Sequence, residues 1–173
     1  MCSVIIDLAQ SDIPKNLHSE IVIVGSGPAG ITLALSLRKT ARSILLIESG
    51  GLEPDKRVQD MNKGRNVGQK YYPLHRSRSR YFGGSSNCWA GWCAPLDKSD
   101  FKKHSWIPES GWPIEYSDLA THYSAAESLL ELDTKPFTPE PWLRKRAPIW
   151  SIGDEFETQV YKFSPPTRFG QVY

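Results

Sequence analysis

One stretch limits the possible folds of this chain more than any other. It is Ile21-Val22-Ile23-Val24-Gly25-Ser26-Gly27-Pro28-Ala29-Gly30, a short apolar run that stops at three glycines. Four apolar residues in succession suit a strand buried on both faces of a parallel sheet. Gly25 allows a tight turn out of that strand. Gly27 leaves room for backbone amides to approach a pyrophosphate, and Gly30 lets the following helix lie close to the strand. The start of that helix turns its unpaired N–H groups and the positive end of its dipole toward the anion.

Glycines also make ordinary turns, so the neighbouring residues decide the reading. Ile31 to Lys39 has the spacing of a helix, with Ile31, Ala34, Leu35 and Arg38 at helical intervals and a basic end that suits the dipole. A second apolar run, Ser43 to Ile47, leads directly into Glu48. An acid about 20 residues beyond the glycines, at the tip of the second strand, is placed to accept hydrogen bonds from the ribose hydroxyls of an adenosine. Strand, glycine turn, helix, strand and acid in this order predict a dinucleotide site.

The 173 residues suffice for one domain with a real core. A net charge of +2 gives no reason to expect a nucleic-acid partner. No stretch approaches the roughly 20 apolar residues of a membrane span. The start, Met1 to Asp7, lacks the basic and apolar regions of a secretory signal. Cys2, Cys88 and Cys93 do not form a disulfide framework, so the expected compartment is the cytoplasm. Cys88 with Cys93 lacks the second ligand pair of a structural zinc site, and no metal is expected.

Along the chain, Val4 to Leu8 reads as a short strand or an arm, and 55–70 as a polar surface excursion with one short helix. Lys70, Arg76, Arg78 and Arg80 then precede Tyr81-Phe82-Gly83-Gly84-Ser85-Ser86-Asn87-Cys88-Trp89-Ala90-Gly91-Trp92. A basic cluster is ordinarily a solvated face; beside a pyrophosphate site it also compensates charge. Gly83-Gly84 followed by two hydroxyls offers a second bare-backbone approach to phosphate or to a flavin edge. Trp89 and Trp92 argue that this loop is ordered and buried. Ser117 is a good N-cap with Asp118 in the first turn, opening a helix to about Leu132 with Leu119, Tyr123, Ala126 and Leu130 on one face. A basic knot, Arg144-Lys145-Arg146, follows, and Gln159 to Phe163 reads as a strand.

These elements resemble the N-terminal portion of the glucose-methanol-choline (GMC) flavoprotein oxidoreductases, in particular the sugar-oxidising branch close to pyranose oxidase and fructose or gluconate dehydrogenase. The resemblance runs in order through Gly25 to Gly30, Glu48, Arg80 to Ser86, Ser110-Gly111-Trp112-Pro113-Ile114 with its helix, and Phe163 to Gly170. It implies an α/β fold: a Rossmann-like FAD-binding domain, a parallel sheet with flanking helices, incomplete and followed by the start of a substrate domain. Residues 1–96 would be the first part of the FAD domain and 97–173 the helical segment leading onward. It further implies that Gly25, Ser26, Gly27, Pro28, Ala29 and Gly30 hold the FAD pyrophosphate and Glu48 the ribose. Arg80, Gly83, Gly84, Ser85 and Ser86 would line the second approach, and Asn87, Cys88, Trp89 and Ala90 would reach the ring.

The reaction implied is oxidation of a CH–OH group of an alcohol or sugar by hydride transfer to flavin, the electron acceptor being oxygen, a quinone or a cytochrome. Several relatives carry a histidine bonded to the flavin at the position of Cys88, so a cysteine there implies dissociable FAD. The family's catalytic histidine lies far downstream, and His18, His75, His104 and His122 match no such motif. The chain is therefore expected to supply cofactor binding without catalytic residues. The alternative is a nucleotide-binding module without turnover.

Overall fold

The apolar run and its glycines form strand, turn, helix and strand in a computed structural model that describes residues 5–8, 16–40, 42–143 and 156–165. Strand β1 (Ile21–Val24) and strand β2 (Ile44–Ile47) pair in parallel, Ile21 with Ile44 through Val24 with Ile47. The N–H of Gly25 donates to the Ile47 carbonyl at 2.7 Å and extends the ladder into the turn. Between the strands runs helix α1 (Pro28–Leu37), three residues earlier than the apolar spacing predicts. Proline at the first helical position explains the shift, since its fixed φ suits the helix and its missing N–H has no intrahelical partner to lose. Gly30 brings α1 against the end of β1: a Cβ there would lie 1.9 Å from the Gly25 carbonyl oxygen.

The expectation of strands buried on both faces is wrong. Ile23 is buried, whereas Val22 is half exposed and Val24 is 81% exposed. Alternation turns Ile23 toward Gly30 of α1, and Val22 and Val24 to the opposite face. The described sheet has only two strands, and no helix covers that second face among the described residues.

Helix α2 (Lys56–Asp60) is capped by Asp55, which accepts from the Val58 N–H at 3.0 Å. Helix α3 (Leu74–Ser77) and a 3-10 turn (Gly84–Asn87) complete a first compact unit that reaches Trp89; a second begins at Ala90. Residues 5–8 are exposed and form no strand.

In the second unit, strand β3 (Trp92–Cys93) pairs antiparallel with strand β4 (Lys162–Phe163), all that forms of the strand predicted from Gln159. Trp92 is 60% exposed, against the expectation of burial, because it packs edge-on with Phe163 on the surface of this ladder, ring centroids 5.0 Å apart. Helix α4 (Tyr116–Leu129) begins before Ser117: Glu115 and Asp118 form a capping box, with the Asp118 carboxylate accepting from the Glu115 N–H at 2.9 Å. It ends in a Schellman pair, Leu132 N–H to Glu127 carbonyl and Glu131 N–H to Ser128 carbonyl. Lys162, buried, donates to Glu127 Oε2 and to the Asp133 carbonyl, both at 2.8 Å, and so ties β4 to the end of α4. Cys2, Val4, Arg144 to Arg146 and residues 166–170 lie outside the described residues.

Candidate functional site

The first unit carries a cleft of about 400 Å³ at the ends of β1 and β2. Its first wall is the glycine turn. Gly25 has φ 97°, open to glycine at little cost, and the Cβ position of Gly27 meets nothing within 4 Å. This side of the turn is bare backbone facing open space.

The second wall is Glu48 with Ser49. Glu48 Oε2 accepts from the N–H and the hydroxyl of Ser26, each at 2.8 Å. Its Oε1 accepts from the Ser49 N–H at 2.9 Å, the Ser49 hydroxyl at 3.2 Å and the Gly50 N–H at 3.1 Å. Partial burial alone would raise the pKa of this carboxyl. The donors from Ser26, Gly50 and Ser49 outweigh it and lower the pKa from 4.5 to about 2. Glu48 is therefore an ionised acceptor at any working pH.

The third wall is the segment Ser77 to Arg80, with Asn62 behind it. Arg80 reaches across, donating from Nε to Asn62 Oδ1 at 2.9 Å and from Nη1 to the Ser49 hydroxyl at 3.1 Å. Gln59 clamps the backbone here: its Nε2 donates to the carbonyls of His75 and Arg78, and its Oε1 accepts from the Arg80 N–H. Gly50 lies directly under this segment, where a Cβ would meet the Arg80 carbonyl at 2.2 Å.

The fourth wall is Gly84 with Ser85. The Gly83 N–H donates to the Ser26 carbonyl at 3.0 Å, and a Cβ on Gly84 would lie 3.1 Å from Gly27 Cα. Two bare-backbone turns, distant in sequence, thus meet at one cleft.

Of the residues marked out by sequence, Gly25, Gly27, Glu48, Arg80, Gly84 and Ser85 line the cleft. Ser26 is fully buried behind it, and Gly30 serves the packing of α1. Pro28 and Ala29 are exposed at the start of α1. Gly83, Ser86 and Asn87 shape their own turn: the Ser86 hydroxyl donates to the Gly83 carbonyl, and Asn87 Nδ2 to the Phe82 carbonyl. Cys88 is exposed and accepts from the Ser79 hydroxyl at 3.3 Å. Trp89 is half-buried, with an indole N–H that has no partner among the described residues. Ala90 belongs to the second unit. Lys70 borders a separate hollow beside Tyr71 and Tyr72. Ser49, Asn62, Ser77 and Ser79 also line the cleft but belong to no motif in the sequence, and Arg78 belongs only to a basic cluster. Ser49 had one signal, its place directly after Glu48; Asn62 had none.

No protein-family profile matches the chain. Over 56 residues it is similar, at 36% identity, to squalene epoxidase erg1 of Aspergillus fumigatus. The matched segment covers 32% of this chain and spans 12% of that enzyme's length. Among the described residues no helix is long and apolar enough to cross a membrane.

Proposed function

We propose that this chain is the FAD-binding part of a flavoprotein oxidoreductase of the GMC type, built on a Rossmann-like unit. The whole protein would oxidise a CH–OH group of an alcohol or sugar. One observation carries the reading: the glycine turn after β1 and the Gly83-Gly84 turn meet, Gly84 against Gly27, at a cleft rimmed by Glu48. Bare backbone on two sides, an arginine on the third and an acid at the strand end fit a dinucleotide diphosphate joined to a ribose.

Bound there, FAD supplies the hydride acceptor. The chain's own residues bind and orient it. The amides of Gly27 and of the first turn of α1 would face the phosphates, those of Gly25 and Ser26 being given to the Ile47 carbonyl and to Glu48, and Arg80, fixed by Asn62 and Ser49, would balance their charge. A ribose hydroxyl would reach Glu48 by taking the place of the Ser49 hydroxyl at the cleft, since both carboxylate oxygens already accept hydrogen bonds from protein donors. None of the four histidines lines the cleft, so removal of the substrate hydroxyl proton falls to the rest of the whole protein. The partial similarity to an epoxidase, an enzyme named for an oxidation, is in line with an oxidoreductase. The unpaired Cys88 and Cys93 suit a reducing compartment, for which we take the cytoplasm.

The test is titration of the purified full chain with FAD, read by flavin fluorescence and by the rise in melting temperature. Binding is expected, with the flavin released to the supernatant on acid precipitation. Gly27→Val sends a side chain into open space and should leave the fold intact while weakening FAD by about tenfold or more. A folded chain that leaves the flavin signal and the melt unchanged overturns the reading and leaves a module that does not take up FAD.

A further inference from the structure

Glu48 sits where a ribose acceptor belongs, yet its contacts reach further than that role needs. One carboxylate oxygen holds the backbone N–H and hydroxyl of Ser26, inside the glycine turn. The other holds Ser49 and Gly50 at the exit of β2, and Gly50 is the residue on which the Arg80–Tyr81 backbone rests. Ser26 in turn accepts the Gly83 N–H on its carbonyl, beside the contact between Gly84 and Gly27. A single side chain therefore connects all the backbone walls of the cleft. Ser26 is fully buried, so its side chain serves this connection and not a ligand directly.

We propose that Glu48 is a positioning residue for the phosphate-facing backbone, fixing the two glycine turns against each other and so governing the affinity for the diphosphate itself. The inference rests on the FAD reading above and adds to it a role that needs no ribose. Electrostatics gives the test its sign. Removing a negative charge beside an anion site should strengthen anion binding by Coulomb's law alone. A loss of affinity on removing that charge is the mark of lost geometry.

The experiment uses the full chain and two probes, FAD and inorganic pyrophosphate, measured by calorimetry on wild type, Glu48→Gln and Ser26→Ala, with far-UV circular dichroism as the control for folding. Glu48→Gln should weaken pyrophosphate about tenfold and FAD by at least that factor, since the glutamine amide turns N–H groups toward donors that then lack an acceptor. Ser26→Ala keeps the backbone bond to Glu48 and should weaken both probes by a smaller common factor. If Glu48→Gln fails to fold, the Ser26→Ala ratio decides by the same criterion. A loss confined to FAD, with pyrophosphate unchanged or tighter, makes Glu48 a plain ribose acceptor and overturns the proposal. Wild type that binds FAD but not pyrophosphate also overturns it while the FAD reading stands. Wild type that binds neither overturns both.

Discussion

Glu48 keeps its charge at acidities that neutralise most carboxylates, and the consequence is measurable. Its pKa is lowered from 4.5 to about 2, so the folded state gains from the ionised form. That contribution is complete above about pH 4.5 and is lost as the pH falls toward 2. The melting temperature of wild type should exceed that of Glu48→Gln at neutral pH, and the gap should narrow over this acidic window. A gap independent of pH would show that the five donors do not act on the charge. At this scale the sequence exposed backbone chemistry well. The glycines at the strand exit and the acid at the strand tip stand together at one cleft, as their order along the chain suggests. It did not expose Gln59 or Asn62, because their roles arise from carbonyls and a guanidinium that only the folded chain brings near. Ser26 was legible as part of the turn but not as the partner of Glu48, twenty-two residues away.

Among the elements, β1, α1 and β2 were legible because a four-residue apolar run ending in glycine leaves little choice. Boundaries moved where a local cap outweighed periodicity: Pro28 pulled the start of α1 forward, and the Glu115–Asp118 box displaced Ser117 as the cap of α4. The strand predicted from Gln159 shrank to β4, whose anchor is Lys162. That lysine's side chain is 1% exposed, and its ammonium is matched by Glu127 and a carbonyl. Nothing in a lone lysine between aromatic residues announces burial. Lys162→Met preserves bulk but leaves Glu127 and the Asp133 carbonyl without their donor. It should cost about 2–3 kcal/mol in urea unfolding. Glu127→Ala should cost more, because it strands a buried cation. Trp92, packed on Phe163 beside Lys162, makes indole fluorescence the natural probe. A loss within the error of the measurement for both variants would mean that β4 is held by its backbone ladder and by the Ser164 hydroxyl on the Leu130 carbonyl.

For the whole molecule, the feature that matters is the uncovered second face of the parallel pair. Val22, Val24 and Ile47 are 51%, 81% and 41% exposed, although sheets of this kind are ordinarily covered on both sides. The sequence promised that cover through its apolar run, and a run of valines and isoleucines does not say which polypeptide provides it. The isolated chain should bind a hydrophobic dye and scatter light on concentration. Val24→Thr should reduce both without lowering the melting temperature, since that side chain contributes almost no packing here. A free chain that binds no dye and stays clear on concentration would contradict this.

The meeting of Gly84 with Gly27 has an evolutionary corollary. Because the two turns touch main chain to main chain, a methyl group gained at Gly84 needs its neighbour to retreat. No change of side chain at Gly27 makes that room, because the contact is with its Cα, so descendants of this gene should keep a glycine at position 84.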